Sequence, residues 1–332
     1  MSTSVAASLA IGERTCPADD RERLTELDAM RGCAALLVLG YHIWTEFGVM
    51  PIFGRAYLAV DFFFMLSGFV MARTYEARLQ DGRIGARLFL AARYRRLWAP
   101  IAAGTVVGWL FLVLSGNAPS MLAVVAGLTM MPFLGLEKPY LLNRPAWSIF
   151  FELAANAVHA VLLSRIGVRA LLAIALISAI VLGLYCMDFG AITVGFRSVD
   201  FWAGMPRVLM AYCLGVALWR LRLSSRFPPG AATLLLVAVL LFVPRGLGWD
   251  MAFVLLLCPV LILVGAQPFG GRPAALLGAL SFPLYAVHFP VLQMAMLYGF
   301  GPLAAAGGAI ALALLVGVVV DRRLIQSVQS AR

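Results

Sequence analysis

Apolar stretches long enough to cross a bilayer recur along the chain at 31–49, 56–72, 97–115, 146–165, 169–186, 203–220, 230–246, 250–267, 275–298 and 302–320. A spanning helix needs about 20 predominantly apolar residues. Short charged or turn-forming stretches separate these runs, so the pattern predicts an all-α, polytopic integral membrane bundle of about ten transmembrane helices. An eleventh apolar segment, 121–136, is shorter and is broken by Pro132 and Gly135. Segments 230–246 and 250–267 are nearly pure hydrocarbon and read as scaffold.

The basic residues orient this pattern. With ten spans and a cytoplasmic N-terminus, 20 Lys and Arg residues fall in inside segments and 6 outside. Letting 121–136 cross reverses every later loop and gives 16 against 10. Positive charge collects on the cytoplasmic side, so the ten-span arrangement is preferred and both termini are expected in the cytoplasm. Segment 121–136 then becomes an interfacial or re-entrant stretch in the one large outer loop. Residues 1–25 carry Glu13, Asp19, Asp20 and Glu22 without a basic start and an apolar core. They read as a short cytoplasmic tail rather than a signal peptide. A membrane domain over 26–320 and a second cytoplasmic tail over 321–332 complete the organisation.

Composition agrees with this picture. The 332 residues are 62% hydrophobic and 13% charged, with a mean hydropathy of +0.93. A soluble domain carries about 25% charged residues, so a polar surface covering this chain cannot be assembled. The net charge of +10 is explained by topology and does not call for nucleic acid. Five cysteines show no disulfide or metal-ligand spacing, which implies reduced, structural thiols and no metal.

The chemistry must therefore lie where the spans carry polar groups, since an ionisable side chain near the bilayer centre costs about 2.5–3.5 kcal/mol. Arg31 and His42 are eleven residues apart in the first span. At about 100° per residue they share a face, separated by about 16 Å of helix rise. Glu46 can join that face. In the fourth span Ser148, Glu152 and His159 form one stripe, with Asn156 at its edge. A simple role for Glu152 is an ion pair with an outer arginine such as Arg144 or Arg207. In the ninth span Ser281, Tyr285 and His288 align, bracketed by Pro283 and Pro290, which free backbone carbonyls that Tyr285 and His288 could satisfy. Arg93, Arg95 and Arg96 precede the third span. Arg93 and Arg96 project together on a helix and could grip phosphate, with Arg31 approaching from the same side.

Together these blocks resemble the acyltransferase-3 family of membrane O-acyltransferases, which includes bacterial enzymes acylating surface and exported polysaccharides. Glu26-Leu27-Asp28-Ala29-Met30-Arg31-Gly32 leading to His42 is similar to the family's arginine, ten residues, histidine signature. Val60-Asp61-Phe62-Phe63-Phe64-Met65-Leu66-Ser67-Gly68-Phe69 resembles its second-span motif, and Arg93-Tyr94-Arg95-Arg96-Leu97-Trp98-Ala99-Pro100 its paired-arginine approach to the third span. Pro145-Ala146-Trp147-Ser148 with Glu152, and Ser281 to His288, resemble two further blocks in the same order. Met30 and Pro283 depart from the usual residues without touching a candidate catalytic group.

The resemblance implies a bacterial inner-membrane enzyme. It would take an acyl group, acetyl first, from acyl-CoA as a co-substrate and pass it to a hydroxyl of a sugar or glycoconjugate. On this reading Arg31, Arg93 and Arg96 bind the donor. His42 is base or transient acyl carrier, with Glu152 as the second catalytic group. Glu46, Asp61, Ser67, Ser148, Tyr285 and His288 contact the acceptor or acyl group. The rival from another class is a secondary transporter of a small anionic metabolite or lipid-linked sugar. It also needs buried charges, but should show repeated halves with paired broken helices.

Overall fold

A computed structural model describes residues 23–222 and 227–320. Most of the two predicted tails, with Cys16, Arg14, Arg21 and the C-terminal arginines, lies outside the described residues. Among these, regular structure is entirely helical: α1 (Thr25–Phe47), α2 (Pro51–Gln80), α3 (Ala86–Leu114), α4 (Met121–Leu128), α5 (Ala146–Leu163), α6 (Val168–Tyr185), α7 (Ser198–Leu221), α8 (Ala231–Phe242), α9 (Leu247–Gly265), α10 (Gly271–Leu297) and α11 (Pro302–Val320). Eight of them are long and apolar enough to cross a membrane. The predicted first and seventh spans are the two that differ. Helix α1 has the length, at 23 residues, but its polar face lowers its hydropathy. Helix α8 has only 12 residues, about 18 Å of rise. Ten is therefore an approximate count. Segment 121–136 supplies only the eight-residue α4, about 12 Å long, and cannot cross a hydrocarbon core of about 30 Å.

Helix α10 is the central element, packing against α1, α3 and α11, while α7 joins α2 to α6. Small residues permit the closest crossings. A Cβ added to Gly215 would lie 1.9 Å from the Met65 carbonyl oxygen, and one on Gly68 2.1 Å from that of Tyr212. Helices α2 and α7 thus touch backbone to backbone, as apolar-solvent packing favours. Gly32 serves α1 in the same way against Leu277 of α10. Outward positions such as Leu176, Ile177, Leu234 and Leu303 are exposed and apolar, as lipid-facing surfaces require.

Two buried ion-pair networks lock one end of the bundle. Asp61 of α2 accepts two bonds from Arg207 of α7, at 2.9 and 2.7 Å. Asp250 of α9 takes Arg55, the Tyr57 hydroxyl at 2.6 Å and the Ile192 amide at 3.0 Å. Arg207 also donates to the Val194 carbonyl at 3.2 Å. The 186–197 connection is thereby tied across the end of α1 that carries His42. The connection after α4 is pinned by Tyr140, whose hydroxyl donates to the Met130 carbonyl at 3.0 Å. Burial raises the pKa of that hydroxyl above the ordinary tyrosine value.

Candidate active site

The polar groups expected on separate spans gather around three chambers arranged in series. The first, a vestibule of about 340 Å³, is bordered by Arg23, Asp28, Arg31, Arg95 and Arg96. It shares Arg31, Arg96 and Phe282 with an inner chamber of about 120 Å³. That chamber carries Ser67, Arg93, Ser148, Glu152, Ser281 and Tyr285 in a largely apolar wall. It shares Val60 and Tyr285 with an outer chamber of about 220 Å³, where His42, Glu46 and Arg144 meet Tyr41, Tyr57, Trp147 and Phe289.

In the vestibule, Arg31 stands 3.7 Å from Asp28, one helical turn earlier, and Asp28 accepts Arg23 at 2.9 Å. Arg95 and Arg96 are exposed on α3. Four guanidiniums therefore border a single mouth: Arg23 from just before α1, Arg31 from α1, and Arg95 and Arg96 from α3, which spacing on one helix could not connect.

The inner chamber is organised by Glu152. One carboxylate oxygen accepts both Arg93, at 2.8 Å, and the Ser67 hydroxyl, at 2.9 Å. Arg93 is thus set apart from Arg96. It is buried and committed to Glu152, whereas Arg96, three residues on, reaches the vestibule. Glu152 pairs with neither Arg144 nor Arg207, and it turns to α2 and α3 rather than to His42. Arg144 instead stands 3.6 Å from Glu46, and Arg207 is held by Asp61. Across the chamber the Tyr285 and Ser148 hydroxyls are 2.7 Å apart, and Tyr285 also reaches the Pro145 carbonyl at 3.3 Å.

The two prolines of α10 act differently from the expectation that Tyr285 and His288 satisfy freed carbonyls. Pro290 has no N–H for the Ala286 carbonyl, and Asn143 Nδ2 takes that oxygen at 2.9 Å. His288 bonds the Leu284 and Tyr285 carbonyls. Asn143 lies in the connection just before the tryptophan-serine block, off any helical face, so helical spacing does not point to it.

The outer chamber holds His42 against Tyr41, Phe289 and His288, with ring centroids at 5.1, 5.0 and 5.1 Å. Arg144 lies 4.8 Å above the Phe289 ring. Asp61 is fully buried behind Arg207 and borders neither chamber; Arg207 presents its own guanidinium to the outer one. His159 and Asn156 share the face of Ser148 and Glu152 but lie deeper, against Tyr212 of α7. The stripe prediction was right about direction, while depth separates the two pairs.

A polytopic helical bundle with arginines at one mouth and buried acid, histidine and hydroxyl groups along the path defines an integral membrane protein with a polar site built into its core. Its sequence matches the model of the acyltransferase-3 family, described as an acyltransferase domain, over residues 24–322, and the chain belongs to that family. It is 34% identical to "Protein 2 in picA locus" of Rhizobium radiobacter over 187 residues, covering 51% of this chain and 97% of that protein. No solved structure matches it. The protein is accordingly a membrane acyltransferase.

Proposed function

We propose that this acyltransferase carries an acyl group, acetyl first, from acyl-CoA at the vestibule to a sugar hydroxyl of a glycoconjugate in the outer chamber. The observation that carries this reading is the series of chambers sharing Arg31 and Arg96 at one junction and Tyr285 at the other. A nucleotide's phosphates suit the Arg23, Arg31, Arg95 and Arg96 mouth, where guanidinium groups offer paired donors. The slender pantetheine arm suits the narrow inner chamber. The rise from Arg31 to His42, about 16 Å, is then the span that arm must cover.

At the far junction the thioester carbonyl meets Tyr285, whose hydroxyl can donate to the oxygen that gains charge. The acceptor's hydroxyl loses its proton to His42 as its oxygen attacks. The C–O bond forms, the C–S bond breaks, and the thiol leaves with the proton. Aromatic walls from Tyr41, Tyr57, Trp147 and Phe289, with Glu46 and Arg144 between them, suit a sugar ring with apolar faces and a hydroxyl rim. Arg93 and Glu152 position the arm from the side. Family membership sets this reading above the transporter alternative.

The basic-residue distribution supports a vestibule that opens to the cytoplasm, with a bacterial inner membrane as the proposed site and both termini inside. The test is purified protein supplied with acetyl-CoA and glycans extracted from the producing cells. Release of free thiol with transfer of label to the glycan is expected. Thiol release that stays at background overturns the proposal.

A further inference from the structure

The reaction as written leaves the proton of His42 in a chamber that already holds two guanidiniums, and the structure places a second imidazole directly behind it. His288 is buried at 1% exposure, outside the chamber walls, with its ring 5.1 Å from that of His42 and inclined by 37°. Its Nδ1 lies 3.1 Å from the Leu284 carbonyl oxygen and 2.9 Å from that of Tyr285. A carbonyl oxygen can only accept, so in the neutral ring Nδ1 holds the hydrogen and Nε2 holds a lone pair. That Nε2 is buried and makes no hydrogen bond.

His159 provides the contrast within the same chain. It is also buried, and both of its ring nitrogens lack hydrogen bonds. No carbonyl fixes its tautomer, and its ring neighbour is Tyr212 rather than a chamber residue.

We propose that His288 is the proton-relay partner of His42, a positioning residue that acts through it and does not touch substrate. The inference rests on the acyl-transfer reading. As the acceptor oxygen attacks the thioester carbon, its proton passes to one nitrogen of His42. The His42 ring, which is only partly buried, turns its other N–H onto Nε2 of His288 and passes that hydrogen across. The imidazolium so formed keeps its Nδ1–H on two carbonyl oxygens, whose dipoles favour the cation. When the C–S bond breaks, the thiolate takes a proton from His42 and His288 returns its own. One C–O bond has formed, one C–S bond has broken, the hydroxyl hydrogen is on sulfur, and both rings are neutral again. The charged and titratable groups facing this pair are Tyr41, Glu46, Tyr57, Arg144, Arg207 and Tyr285. Of these, Arg144 opposes a cation left on His42, whereas Arg207 is matched by Asp61.

The chain has three histidines, so each can be followed separately. Membranes bearing wild type, His288→Gln, His288→Asn and His159→Gln would be given radiolabelled acetyl-CoA and glycans from the same cells, in mixtures of light and heavy water. Both His288 variants should lose about a hundredfold or more of the saturating rate, with the donor KM within threefold. The curved dependence on deuterium fraction that marks two moving protons should become linear. His159→Gln should keep the wild-type rate and curve. A rate within threefold of wild type in the His288 variants overturns the relay, as does a slow variant that keeps the curved dependence. Nitrogen-15 NMR of histidine-labelled wild type covers failure of the variants to fold. An Nδ1–H tautomer for His288 supports the relay, and an Nε2–H tautomer overturns it whatever the activity. Wild type that transfers no label sinks the acyl-transfer reading itself.

Discussion

At the scale of single residues, the arginines in the chambers differ in how deeply they are buried. Arg93 is matched to Glu152 and Arg207 to Asp61, so removing one partner leaves the other charge buried, a loss of about 3–5 kcal/mol. Arg207→Ala should therefore fail to give monodisperse protein in detergent, as size-exclusion chromatography would show. Arg96 lies at the vestibule, and Arg96→Ala should raise the apparent KM for acetyl-CoA by about tenfold while kcat changes little. An effect limited to the acceptor would argue against phosphate recognition there. Arg93→Ala is expected to behave differently, lowering kcat and stability together, because its partner is Glu152 inside the inner chamber. His42→Ala should lower the transfer rate by about 10²–10⁴-fold with an unchanged elution profile and melting temperature. Persistence of full activity in that variant would remove His42 from the chemistry.

At the scale of elements, the family-like block around Ser67-Gly68 divides its work between neighbouring positions. Ser67 turns to Glu152, while Gly68 turns to the backbone of α7. Adjacent residues on a helix point about 100° apart, so one motif serves a chamber and a crossing. Gly215 makes the reciprocal contact, and even one methyl group there meets a carbonyl oxygen well inside contact distance. Gly215→Ala should accordingly lower the melting temperature by several degrees, and Gly215→Leu should prevent recovery of folded protein. An unchanged melting curve for Gly215→Leu would show that α2 and α7 do not cross as described. The polar faces of α1, α5 and α10 were legible from spacing alone, because helical periodicity converts sequence offsets into directions. Depth was not. Spacing could not tell that Ser148 and Glu152 stop at a chamber while His159 continues past it, since that depends on where α7 covers α5.

At the scale of the whole molecule, an unequal distribution of arginine remains the guide to orientation, and the short α4 fits the arrangement in which 121–136 does not cross. A reporter fused after Gly167 should be cytoplasmic, with one in the 115–120 connection facing outward; the reverse result at Gly167 would invert every later loop. Hydrophobic length, charge asymmetry and ordered motifs by themselves determined that this is a polytopic helical membrane protein of the acyltransferase-3 family, and which residues have no business in hydrocarbon without a partner. Those properties are local or additive along the chain, so sequence carries them openly. The pairing of those residues was decided only by tertiary structure. Glu152 found Arg93 across 59 positions and Asp61 found Arg207 across 146. His42 came to rest against His288 because α1 and α10 pack face to face. Partner choice depends on which faces meet and at what depth, and helix packing in a medium as apolar as the side chains sets both.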